Sequence, residues 1–348
     1  MIRIAERWRA IYHNGIVVRY VLLFFCLQKV GRIVGGMMLG DIVKTVLQKN
    51  HVREELCCEV EQVLEELGFL EAIQTFSSLQ KGMTNQLFHF STLDGEYLLR
   101  LPGAGTEQII NRQHEVAVYQ ALEGCCITEE TLYICAQNGI KVSKFMKHVH
   151  NCDKENKKEV SRCMNLLREF HDKKLQVLHV FDVFAEMRLY EEQCGVCIGS
   201  FDDCLDTRKQ VLELRDLIKS ISKEECLCHI DPVYDNFLMD DENVRLIDWE
   251  YAAMCDPYID IAMFCIYAEY DREQTDWVVG CYLGDEPSPE QRMLVYAYMS
   301  ACSYLWVLWS EIKRMEGIDY WEYEKGQYQI AKDFYRYAME LYRSKNTW

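Results

Sequence analysis

The chain has 348 residues, 49% of them apolar, and a formal net charge of −17. That length and apolar content suit one compact two-lobed body. The acidic balance argues against a nucleic-acid partner, whose phosphates need a basic footprint; it is compatible with a cationic ligand, because a negative cleft concentrates cations, and equally with solubility alone.

Residues 1–50 read as an N-terminal extension. Within it, Ile16–Leu27 is largely apolar but carries Arg19, and the uncharged run Tyr20–Leu27 is far shorter than the roughly 20 residues that span a bilayer. A poorly packed extension is the expected reading, and the only place for membrane contact, through a surface-lying segment, is residues 1–40. Leu56–Leu67 has a helical apolar spacing and ends at Gly68. Leu87–Thr92 and Tyr97–Leu101 flank Asp94-Gly95, and Thr131–Ala136 and Ile140–Phe145 flank Asn138-Gly139. Both dipeptides are hairpin turn signals. Between the hairpins, Glu107–Leu122 is helical in pattern. Beyond residue 150 helices are expected over Lys154–His171, Val180–Gln193, Thr207–Ile221, Ile259–Tyr270, Pro289–Met315 and Tyr320–Tyr342, interrupted by a strand-and-loop region at Cys226–Trp249. The order predicts an α+β fold: a small β-rich N-lobe over 51–145, a large helical C-lobe over 146–348, and a ligand cleft where they meet.

The seventeen cysteines follow no disulfide-like spacing, and no secretory cleavage site stands out, so a reducing cytoplasm is expected. Cys194 and Cys197 form a lone CxxC, which reads as incidental.

The chemistry is concentrated in His229-Ile-Asp231-Pro-Val-Tyr-Asp-Asn236, followed twelve residues after Asn236 by Asp248 in Ile247-Asp-Trp-Glu250. Phosphoryl transfer from ATP needs positioned charges more than covalent help. One carboxylate takes up the acceptor's hydroxyl proton, and hard oxygen ligands hold Mg²⁺ against the phosphates. In an H-x-D-x-x-x-x-N loop followed by an apolar-Asp motif, Asp231 is the expected base and Asn236 and Asp248 the expected metal ligands. His229 is expected to brace the catalytic loop. Further on, Trp306 and Trp309 share one helical face, and Tyr323 follows. Such a pair is either core packing or an aromatic wall for a quaternary ammonium group.

These segments resemble the choline/ethanolamine kinase family, in its bacterial choline-kinase branch, within the aminoglycoside-phosphotransferase-like group of protein-kinase-like folds. The resemblance rests on HIDPVYDNFL and LIDWEYAAMCDPYIDIAMF and covers roughly residues 70–345. Asp235 departs from it, since many relatives carry glycine there. The resemblance implies ATP and Mg²⁺ as cofactors and a small cationic alcohol, choline or ethanolamine, as acceptor. It implies a nucleotide loop with Gly82, Thr84 and Asn85. Arg100 would stand where protein kinases carry a phosphate-pairing lysine, with Glu115 aiming it and Phe145 in the adenine-facing hinge. Trp306, Trp309 and Tyr323 would form a cation box closed by Tyr251, Glu250 would hold a loop or a second metal, and Asp260 would tie down a helix start or a backbone turn. Two other readings remain open: an aminoglycoside or other small-alcohol phosphotransferase, and a non-catalytic binding protein on the same fold.

Overall fold

A computed structural model describes residues 41–79, 85–103, 110–195, 201–222 and 224–345, together with the backbone at 11–13, 16–18, 33–34 and 37–40. The chain divides into two compact units, Met1–Ile73 and Gln74–Trp348. The first contains two short hairpins, β1 (Ile11–His13) with β2 (Ile16–Val18) and β3 (Ile33–Val34) with β4 (Met37–Met38). Helices α1 (Leu39–Lys49) and α2 (Glu54–Glu66) follow. Helix α2 buries Leu56, Val60, Val63 and Leu64, the predicted stripe, and Gly68 follows it at φ 74°. The sequence reading assigned no element to α1. Residues 1–40, to which any membrane contact was confined, lie almost wholly outside the described residues.

The second unit opens with a five-stranded antiparallel sheet in the order β5-β6-β7-β9-β8. Its strands are β5 (Thr75–Leu79), β6 (Gln86–Ser91), β7 (Glu96–Leu101), β8 (Thr131–Ile134) and β9 (Lys141–Lys144). Asp94-Gly95 turns β6 into β7 with Ser91 opposite Glu96. Asn138-Gly139 joins β8 to β9, and the Asn138 side chain accepts from the Ile140 N–H, fixing the turn. Helix α3 (Arg112–Leu122) crosses between the hairpins, capped by Asn111, whose side chain accepts from the Gln113 and His114 N–H groups.

The remainder is mostly helical: α4 (Lys157–Asp172), α5 (Val183–Cys194), α6 (Cys204–Ile221), α7 (Tyr258–Ala268), α8 (Arg272–Leu283), α9 (Pro289–Met315) and α10 (Trp321–Lys345). The strand pair β11 (Cys226–Cys228) and β14 (Ala253–Cys255) and the sheet β10 (His150–Asn151), β12 (Phe237–Met239), β13 (Val244–Leu246) lie among them. Trp249, Phe170, Phe237 and Phe264 are fully enclosed at the centre of this core. Among the described residues α9 alone is long and apolar enough to cross a membrane, and its most apolar stretch, from Met293 to Ser310, is largely buried in the fold. The mixed α+β arrangement, sheet first and helices after, is the one expected.

Candidate active site

Two antiparallel pairings assemble the site. Strand β11 leads into the loop 229–236, which ends at β12; β13 leads into the loop 247–252, which ends at β14. Since β12 pairs with β13 and β11 with β14, the two loops are drawn together at both ends. The Ile247 N–H donates to the Asn236 carbonyl at 3.0 Å, so Asn236 and Asp248 sit on adjoining backbones. Asn236 Nδ2 donates to the Asp231 carbonyl at 3.1 Å, linking the two ends of the first loop.

The loop is held under strain. Ile230 and Asp248 both have φ 69°, costly for residues with a Cβ and most of all for a β-branched one. Asp260, wholly buried, stabilises the first of these conformations. Its Oδ2 accepts from the His229 N–H at 2.8 Å and its Oδ1 from the Ile230 N–H at 2.7 Å. His171 Nε2 lies 3.0 Å from the same Oδ2, and His171 Nδ1 lies 2.9 Å from the Tyr282 hydroxyl. Asp260 thus ties down a backbone turn, one of the two roles the resemblance implied. His229 is buried against Trp249 and donates from Nε2 to the Ile247 carbonyl at 2.9 Å, joining one loop to the other. Burial pulls its pKa down to about 4, so it braces as a neutral ring.

Asp231 is half-buried, and the Tyr267 hydroxyl donates to its Oδ1. Loss of water pushes its pKa up to about 7; the Tyr267 hydrogen bond works against this, and the charges of Asp248, Glu250 and Asp260 add to it. Asp248 is raised to about 6 by burial and then by Glu250. Two carboxylates poised near neutrality are a mark of a functional site.

On the sheet side, Arg100 sits next to the end of β7, between Leu87 of β6 and Lys141 of β9. It is 4% exposed and donates from Nη1 to Glu115 Oε1 at 2.5 Å, the pair expected from the sequence. The ring is larger than expected. Arg100 Nη1 also reaches Glu250 Oε1 at 3.2 Å, and Arg112 Nη1 reaches Glu115 Oε2 at 2.7 Å and Glu250 Oε1 at 3.1 Å. Burial works to raise the Glu115 carboxyl, but Arg100 beside it outweighs this and holds it below its ordinary value. Gly139 closes the ring from outside: its carbonyl accepts from Arg100 Nη2 at 3.2 Å, and a Cβ there would lie 2.8 Å from Arg112 Nε. Asn85 Nδ2 donates to Glu250 Oε1 at 2.8 Å, fastening the end of the glycine-containing loop to the second motif. Gly82 and Thr84 lie outside the described residues.

The aromatic residues form a train. Tyr267 meets Trp306 with ring centroids 5.9 Å apart, Trp306 meets Trp309 edge-to-face at 5.7 Å, and Trp309 meets Tyr320 at 5.2 Å. Trp306 Nε1 is buried without a hydrogen-bond partner. Tyr323 is half-buried; its hydroxyl is pushed up by burial and then by the charge of Asp231, which places it within the field of the loop. Tyr251 is 41% exposed and raised first by burial and then by Asp231 and Glu250. Phe145 follows β9; its N–H donates to the Glu96 carbonyl at 2.9 Å and its ring meets His89. That N–H therefore continues the sheet. Sequence reasoning missed Tyr267 and Arg112. Tyr267 lies seven residues after Asp260 on α7, a same-face spacing, and Arg112 lies three before Glu115.

The sequence profile of the choline/ethanolamine kinase family matches residues 76–305. Protein LicA of Haemophilus influenzae is 26% identical over 262 residues, covering 71% of this chain and 76% of that protein. Among solved structures, a choline/ethanolamine kinase family protein from Mesorhizobium loti superposes with TM-score 0.72 at 22% identity, over 82% of this chain and 98% of that one. The choline kinase LicA from Streptococcus pneumoniae superposes with TM-score 0.66 at 24% identity, over 80% of this chain and 99% of its own. With a family match spanning the sheet, both loops and most of α9, the chain belongs to the choline/ethanolamine kinase family and is a phosphotransferase of that family.

Proposed function

We propose that this enzyme transfers the γ-phosphoryl group of ATP to the hydroxyl of choline, with ethanolamine as the near variant. The observation that carries the reading is the contact between the two halves of the acceptor site: Tyr267 bonds Asp231 and packs on Trp306. A hydroxyl at Asp231 would thereby lie close to an aromatic face of the kind that holds quaternary ammonium groups. An aminoglycoside, with many ammonium groups, would instead want several carboxylates in an open cleft.

In this reading Asp231 accepts the acceptor's proton as the alcohol oxygen bonds to phosphorus and ADP leaves. Asn236 and Asp248 fit Mg²⁺, being adjoining hard-oxygen donors; Asn236 uses Nδ2 within the loop, which leaves Oδ1 for a cation. The metal, when bound, supplies Lewis-acid relief of phosphate charge. Arg100 fits the nucleotide, because its Nε–H is buried without a partner and so offers a donor to a phosphate oxygen. Gly82, Thr84 and Asn85 would line the phosphates, and the chain around Phe145 would border adenine. Trp306, Trp309, Tyr323 and Tyr251 would surround the ammonium head. His229 holds the loop as a neutral ring and transfers no proton to or from the substrates. The lobes at 51–145 and 146–348 would close on the two substrates. A cytoplasmic setting fits the fifteen described cysteines, all free thiols.

The test is phosphoryl transfer from MgATP to choline, ethanolamine, thiamine and kanamycin, compared as kcat/KM. Choline or ethanolamine should lead. A preference for kanamycin would move the aminoglycoside reading ahead, and binding of nucleotide with no transfer to any alcohol would favour a non-catalytic protein.

A further inference from the structure

Tyr267 stands at a junction. It lies on α7 seven residues beyond Asp260, on the face turned to the 229–236 loop. Asp260 fixes the backbone of that loop at His229 and Ile230, and Tyr267 reaches its next side chain, Asp231. The phenol hydroxyl donates to Asp231 Oδ1, and the ring lies 5.9 Å from Trp306 at an interplanar angle of 55°. Among the described contacts, no other residue touches both Asp231 and the aromatic train. A carboxylate bound at one oxygen by a rigid donor can no longer rotate freely, so its second oxygen acquires a fixed direction. The distance from that oxygen to the aromatic face is then set by the width of one tyrosine ring. The phenol itself has no role as a proton carrier, since burial and then the Asp231 charge hold its pKa far above the ordinary tyrosine value.

We infer that Tyr267 is a positioning residue that turns Asp231 Oδ2 toward the acceptor hydroxyl and sets the span between base and cation box. The inference rests on the proposed phosphotransfer to a cationic alcohol. Its consequences separate by part of the side chain. The hydroxyl acts on the base, so its loss lowers turnover. The ring acts on the box, so its loss weakens acceptor binding. A hydrogen bond to a charged group is worth about 10- to 100-fold in rate when it operates in the reacting complex.

The experiment compares Tyr267→Phe and Tyr267→Leu with wild type, using MgATP with choline and with its one-carbon-longer homologue. Wild-type turnover of choline comes first, because its absence would count against the functional reading rather than against Tyr267. Given that turnover, Y267F should lose about 10-fold or more in kcat, with the KM values for choline and ATP each within about two-fold. Y267L should show the same fall in kcat, a choline KM raised about five-fold, and a reduced preference for choline over the longer alcohol. Thermal unfolding of each variant with and without ATP identifies a folding defect, and either variant that folds is decisive through its own part of the split. An unchanged kcat in Y267F, or in Y267L an unchanged choline KM with an unchanged chain-length preference, would overturn the inference.

Discussion

Asp231 carries two opposite demands. A base must be ionised to accept a proton, yet its surroundings favour the protonated form up to about pH 7. The kcat/KM for the acceptor should therefore fall as pH drops through about 7, close to ten-fold per unit below it. A pH–rate profile flat down to pH 5 would remove Asp231 from the rate-limiting proton transfer. The same shift has a cost in stability. The folded-state pKa lies above the unfolded carboxyl value, so the folded protein binds the proton more tightly and loses stability as pH rises from about 4 to 7. Asp231→Asn should then raise the metal-free Tm at pH 8 and change it less at pH 5, while lowering turnover by about 10²-fold or more and leaving the KM for ATP near wild type. Paired thermal scans and kinetics on that one variant check both halves.

At the scale of elements, the charge ring of Arg100, Arg112, Glu115 and Glu250 joins β7, α3 and the loop after β13. Breaking one member leaves buried charges uncompensated, so single truncations of Arg100 and Glu115 should each raise the KM for ATP. The double variant should cost less than their sum by about 1 kcal/mol or more, measured by a double-mutant cycle. Gly139→Ala should lower stability by about 1–3 kcal/mol in chemical denaturation, because its positive φ penalises a Cβ and Arg112 occupies the space. Asp260→Ala should cost about 3 kcal/mol or more, since it strands two buried N–H groups beside His171, and Asp260→Asn should recover part of that.

These elements also mark how far the sequence could be read. Both hairpins and helix α9 to its stated ends were legible because turn dipeptides and apolar period are local signals, whereas the Arg100–Glu115 pair was legible only through the family resemblance. Strand β5 was not, since Thr75–Leu79 carries three hydroxyl residues and is held by pairing with β6. Helix α8 was missed although Asp271 and Gln274 form a capping box. Arg112 has a local partner in Glu115, but its contact with Glu250 and that of Tyr267 with Asp231 join residues far apart in the chain, and helical spacing places each side chain on a face without naming such a partner.

For the molecule as a whole, the central claim is that one end of the acceptor site reads a hydroxyl and the other a positive charge. Trp309→Ala should raise the acceptor KM by about two- to thirty-fold while ATP is nearly unaffected, and Trp309→Phe should fall between, as the quadrupole weakens but the face remains. Trp309 is half-buried and packs against Trp306 and Tyr320, so these variants report on packing as well as on charge. The ligand can be changed instead, leaving the protein intact. The most direct measurement is kcat/KM of the wild-type enzyme for choline against 3,3-dimethylbutanol, its neutral isostere, at saturating MgATP. A cation box predicts that choline is preferred by about two- to thirty-fold or more, and equal rates for the two alcohols would contradict the account.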